Sequence, residues 1–157
     1  DRACMEQVET LGLNNCLFLP YQDKQYLPYS LTACDLSLVS ISPGMEGLVA
    51  PSKFYGILAA GRPVAVICED HSYLRQLVKE ADCGEAFQNG DAVGLADYIR
   101  RLADYTESAH QMGKAGRHYL KSNFTLEIIA NQYSQIFSQA LIKNLKPKGV
   151  IAIEQAQ

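Results

Sequence analysis

The chain has 157 residues, 48% of them hydrophobic, and a formal net charge of −3. That is enough material for one globular domain with a real core, and it excludes a disordered or fibrous class. Lysines are scattered singly among 17 acidic residues, so no nucleic-acid surface is expected.

Five dispersed cysteines (Cys4, Cys16, Cys34, Cys68, Cys83) form no C-x-x-C pair and have no histidine at metal-ligand spacing. They fit a reducing compartment, with most thiols buried as small apolar groups and no metal centre. No apolar run reaches the roughly 18–20 residues of a membrane span, and no signal-like segment opens the chain, so a cytoplasmic location is expected. The one dense basic stretch, Lys143 to Lys148, reads either as a solvated helix end or as a weak contact with the anionic inner face of a membrane.

In chain order, residues 1–11 carry Cys4, Val8 and Leu11 on one helical face, and Gly12 follows as a helix stop. A short strand is predicted over Cys16 to Leu19. Asp23 is positioned to cap a helix with Leu27, Leu31 and Cys34 on its buried side, and Pro28 belongs in its first turn or breaks it. "DLSLVSI" (Asp35 to Ile41) reads as a second strand. The loop "SPGMEGLVAP" follows, then a helix capped by Ser52 and stopped at Gly61. Gly56 inside that helix costs about 0.5–1 kcal/mol relative to alanine.

An apolar strand is expected over Val64 to Cys68. An amphipathic helix then covers Ser72 to Asp82, with Leu74, Leu77 and Val78 inward and Gly84 closing it. After a brief strand, Glu85 to Phe87, Asp91 caps a helix whose core positions are Leu95, Ile99 and Leu102. A helix over 107–122 precedes another capped by Thr125, with Ile128, Ile129, Tyr133, Phe137 and Leu141 at helical spacing. Short strands separated by helices point to a Rossmann-like α/β parallel sheet with flanking helices and a helical tail. Residues 1–144 read as the domain and 145–157 as a C-terminal tail.

In open α/β sheets, ligands bind beyond the carboxyl ends of the strands. The loop Ser42 to Pro51 lies at such an end, and the helix from Ser52 points its N-terminus into the same crevice. Free N–H groups and the helix dipole there favour an anion. Gly44 and Gly47 let backbone approach a ligand, and Lys53 supplies a point charge suited to phosphate. A phosphorylated ligand is therefore expected. Glu46 reads either as a surface carboxylate or as a ligand contact. His71 reads as a loop residue, and His110 and His118 fall on an exposed helical stretch. No Ser-His-Asp order, Walker loop or metal constellation is present.

"GMEGLVAPSKFYGILAAGRPVAVI", then "EADCGEAFQNGDAVGLADYIRRL" and "MGKAGRHYLKSNFT", resemble the C-terminal half of GT-B glycosyltransferases. The likeness is to family 4, the retaining group 1 enzymes, and within it to the exopolysaccharide and O-antigen branch. It implies a domain that holds a nucleotide-diphosphate sugar, with UDP or GDP as the nucleotide, and transfers the sugar to a glycan or lipid-linked acceptor. It further implies that the backbone of Gly44, Met45, Glu46 and Gly47 faces the diphosphate and sugar. Ser52 and Lys53 would then present the helix N-terminus, with Tyr21 near the nucleobase. The family uses no bound metal; cationic side chains and N–H groups stabilise the leaving diphosphate.

Two departures accompany the likeness. Many family members carry a pair of glutamates eight positions apart, which align here with Leu48 and Gly56. The family's domain also begins with two strands and a glycine-rich turn, whereas this sequence begins at the following helix. A fragment inactive by itself is therefore expected, with unpaired strand edges answered by a rearranged sheet or strand exchange. Two other readings stay open: a sugar-nucleotide 2-epimerase of the same architecture, and a non-catalytic α/β interaction module.

Overall fold

The computed structural model describes residues 2–145. Three four-residue strands, β1 (Ser37–Ser40), β2 (Val64–Ile67) and β3 (Gly84–Phe87), form a parallel sheet in the order β1-β2-β3. The register pairs Leu38 with Ala65 and Ala65 with Glu85. Among the described residues seven α-helices flank it: α1 (Arg2–Thr10), α2 (Leu27–Thr32), α3 (Ser52–Ala60), α4 (Tyr73–Ala81), α5 (Ala92–Asp104), α6 (Thr106–Asn123) and α7 (Leu126–Leu145). The expected α/β class with a parallel sheet is the one observed. Most of the tail set at 145–157, and the side chains of the basic stretch from Lys143, lie outside the described residues.

Strand alternation divides the core in two. Val39, Val64 and Val66 face Phe54, Ile57 and Leu58 of α3 together with Leu74 and Val78 of α4. Ala65 and Phe87, on the other face, meet Tyr98 and Leu102 of α5 and Ala109 of α6. Phe54, Ile57 and Leu58 fall at i, i+3 and i+4, so α3 buries one stripe and leaves Ser52 and Lys53 exposed. Helix α6 seats against the end of α3 because Gly113 lacks a side chain: a Cβ there would stand 2.8 Å from the Gly61 carbonyl carbon.

Several expectations need correction. Residues 16–19 form no strand, and Leu17 and Leu19 are exposed; no described strand lies beside them to satisfy their backbone. Asp23 precedes a 3-10 turn (Lys24–Tyr26) without any side-chain capping bond, and Pro28 sits at the start of α2, where its missing N–H costs nothing. Strand β1 is shorter than Asp35 to Ile41, and α1 buries none of its residues.

Gly84 does not close α4. Asp82 takes the left-handed position (φ 47°) instead, and Gly84 opens β3. In α5 the fully buried residue is Tyr98 rather than Ile99, which is 43% exposed. Tyr133, Phe137 and Leu141 of α7, which stand at helical spacing, are exposed. Asp91 and Thr125 do act as caps, accepting from the Gly94 and Ile128 N–H groups, and Ser72, expected as the first residue of its helix, is the N-cap instead, accepting from the Leu74 N–H.

Among the described residues no strand pairs with the outer edge of β1, and Leu38, on the same face as Ala65, is 49% exposed.

Candidate functional site

The three strands end side by side, and the loops that follow them meet there. After β1, residues 42–51 make two successive turns: Met45 N–H donates to Ser42 at 3.1 Å and Leu48 N–H to Met45 at 3.1 Å. Gly44 (φ 78°) and Gly47 (φ 77°) supply the left-handed conformations that these turns require. An added Cβ at either glycine would meet nothing within 4 Å, so both face open space.

Helix α3 starts one residue earlier in its capping scheme than the sequence implied. Pro51, not Ser52, is the N-cap residue, and no side chain caps the helix. Ser52 is the first helical residue, and its N–H turns back to Ala50 at 2.8 Å. The reason lies in proline, whose fixed φ sets the helix entry but which has no hydroxyl or carboxylate to offer the first turn. The result is an N-terminus without a side-chain acceptor and with an exposed lysine, Lys53, in its first turn.

Glu46 turns away from bulk solvent. Its Oε1 accepts from the Glu69 N–H at 3.3 Å, and its Oε2 is buried without a hydrogen-bond partner. Glu69, after β2, accepts the Gly44 N–H on Oε2 at 2.9 Å. Asn89, after β3, donates to the Ile41 carbonyl at 2.8 Å. Arg75 of α4 laces the strand ends by donating to the carbonyls of Glu69 (3.2 Å) and Ala86 (3.3 Å) and pairing with Asp70 (3.3 Å). Pro43, Glu69, Asp70, His71, Gln88 and Asn89 line an open cavity of about 360 Å³ here. Burial pushes up the Cys68 thiol at the end of β2, with help from the nearby Glu46 charge against opposing contacts from Ser72 and Arg75. That cysteine is an inert core group.

Of the residues singled out from sequence, Gly44, Met45, Glu46 and Gly47 share this loop, and Ser52 and Lys53 stand at the helix start beyond it. Tyr21 is 94% exposed in an irregular segment and belongs to neither core cluster. Gly56 faces α2, with Leu31 Cδ1 3.5 Å from where its Cβ would be. It lines a separate groove with Leu27, Pro28 and Arg117. Glu69, Arg75 and Asn89 escaped the sequence reading, although two of them follow strand ends, where the same positional rule applies.

The parallel sheet with helices on both faces, the glycine loop at its strand ends and the helix that follows are those of a Rossmann-like α/β domain. Residues 3–119 match the family "Glycosyl transferases group 1", and the chain belongs to that family. It is 29% identical over 116 residues to "Probable glycosyltransferase WbjE" of Pseudomonas aeruginosa, covering 74% of this chain and 28% of that protein. Among solved structures it superposes on sucrose-phosphate synthase from Thermosynechococcus elongatus with a TM-score of 0.71 (24% identity, 90% of this chain and 34% of that one). With Anabaena HepE in complex with UDP-glucose the TM-score is 0.72 (21% identity, 88% and 36%). The fold is thus that of GT-B glycosyltransferases, and the chain spans about a third of the length of the proteins it matches.

No helix among the described residues is long and apolar enough to cross a membrane.

Proposed function

We propose that these residues form the donor half of a nucleotide-diphosphate-sugar site, in a retaining glycosyltransferase that builds a polysaccharide on a glycan or lipid-linked acceptor. The observation that carries this reading is the N-terminus of α3, uncapped by any side chain and bearing the exposed Lys53, beside the open glycine loop at the strand ends. Family membership supports transferase chemistry. The UDP-glucose bound to the HepE fold relative supports a nucleotide-sugar donor.

In this reading the diphosphate lies over the first turn of α3, where N–H groups and Lys53 meet its charge. A helix N-terminus favours an anion by about 0.3–1 kcal/mol, and by up to about 2 kcal/mol when partly buried. The same groups gain strength as the leaving diphosphate takes up the bonding electrons, so they act most at the transition state without a metal ion. Ser52 adds a hydroxyl to that end. Met45 and Glu46 border the sugar, and Tyr21 offers a ring to the base. The acceptor is held by parts of the protein beyond these residues, so the 157-residue chain binds donor but transfers no sugar.

Titration of the chain with UDP-glucose and GDP-mannose, followed by amide chemical shifts, tests the reading. Shifts are expected in residues 44–54 and at Tyr21, and silence in 44–54 with both ligands rejects the reading.

A further inference from the structure

Glu69 reaches into the glycine loop twice. Its carboxylate accepts the Gly44 N–H at 2.9 Å, while its own N–H donates to Glu46 Oε1 at 3.3 Å. Arg75 fixes it from behind through its carbonyl, at 3.2 Å, and ties the same guanidinium to the Ala86 carbonyl of β3. One residue outside the loop therefore sets both the backbone and the acid of the loop.

Charge divides the region. Glu46 and Glu69 are joined at the strand ends, whereas Lys53 lies on the first turn of α3. A diphosphate is repelled by a pair of carboxylates and attracted by a lysine and free N–H groups. A sugar is uncharged and rich in hydroxyl donors, which carboxylates accept well. Glu46 Oε2 is buried without a donor, a costly arrangement that a sugar hydroxyl reaching it through a small shift of the loop would relieve. Gly44 and Gly47 leave the space in front of the loop open for it.

We propose that Glu69 is the positioning residue for the sugar end of the donor site, holding the Gly44–Gly47 loop and the Glu46 carboxylate in register for the hydroxyls of the donor's sugar. This rests on the nucleotide-sugar reading above. It concerns orientation: sugar toward Glu46 and Glu69, diphosphate toward Lys53.

The test is calorimetric titration of the wild-type chain, Glu69→Ala and Glu69→Gln with UDP-glucose and with UDP. The wild type is expected to prefer UDP-glucose. Glu69→Ala loses the anchor on Gly44 and is expected to bind UDP-glucose about tenfold more weakly, with UDP affinity unchanged. Glu69→Gln keeps an acceptor for the Gly44 N–H and restores most of the preference. A purely structural role is indicated, and the proposal overturned, if Glu69→Ala weakens both ligands equally. Tighter binding of both by Glu69→Ala makes the carboxylate a competitor for the Gly44 amide and also overturns it, as does equal wild-type affinity for the two ligands. A wild type that binds neither ligand rejects the nucleotide-sugar reading itself, and the role of Glu69 with it.

Discussion

Gly84 is the position where the fold is least able to accept a side chain, and Gly84→Ala measures why. A Cβ there would stand 2.8 Å from the Val64 carbonyl carbon and 3.0 Å from its nitrogen, with the carbonyl oxygen nearer still. These atoms are backbone of the central strand and cannot rotate aside, so β3 must back away from β2. The adjacent bond from Val64 N–H to Cys83, 3.0 Å long, is the first to stretch. Overpacking costs about 1–3 kcal/mol and a lost backbone bond about 0.5–1.5 kcal/mol, so a loss of about 2–4 kcal/mol is expected.

Gly90→Ala is the control for Gly84→Ala. Gly90 also has a positive φ (91°), but its Cβ would meet nothing, so only the conformational cost of about 1–2 kcal/mol applies. Urea unfolding followed by circular dichroism reads both, with the midpoint compared at constant slope. A loss at Gly84 no larger than that at Gly90 refutes the steric argument.

Gly56→Ala is expected to stabilise the chain by about 0.5–1 kcal/mol, because the new methyl meets Leu31 at an ordinary 3.5 Å and helix propensity improves; a lower urea midpoint contradicts this. Lys53→Ala is expected to weaken UDP-glucose several-fold and to flatten the salt dependence of binding, since an exposed point charge is screened; an unchanged salt dependence removes Lys53 from the diphosphate. Stability is expected to fall in alkali. Burial pushes the Cys83 thiol from an ordinary 9.0 up to about 12, and the bond to Glu80 pushes Tyr119 up to about 12. The native state keeps both protons where the unfolded chain releases them, so their contribution is whole below about pH 9 and lost between there and about 12. For Cys83 the shift corresponds to about 4 kcal/mol, and Cys83→Ala should flatten the fall between pH 9 and 10 in unfolding scans.

The elements legible in the sequence are those whose signals are local. Asp91 and Thr125 cap their helices because a side-chain oxygen reaches an N–H three residues on, within one turn of chain. What failed depended on neighbours. Cys16 to Leu19 has strand composition, but a strand exists only beside another strand, and none lies there among the described residues. Gly84 follows a helix and looks like its stop, yet its lack of a Cβ serves the contact with Val64, a residue 20 positions earlier. Tyr98 rather than Ile99 is buried in α5 because Phe87 and Met112 receive its ring and hydroxyl. Helical periodicity alone does not choose between adjacent residues near the edge of an apolar stripe.

The candidate site divides along the same line. Its glycines, Ser52 and Lys53 were visible because turn chemistry and a helix start are written in consecutive residues. Glu69 and Asn89 were not, because their roles consist of bonds to Gly44 and Ile41 across 25 and 48 positions. The rule that picks out strand ends applies equally to all three loops, and only the first was read that way. Gly56, which looked like an absent ribose contact, turns toward Leu31 and the groove behind α3, where an alanine methyl also fits. With Glu69 tied to the first loop and Arg75 tying the second strand end to the third, the three loops form one jointed rim. A substitution after β2 or β3 must therefore register at the glycine loop after β1.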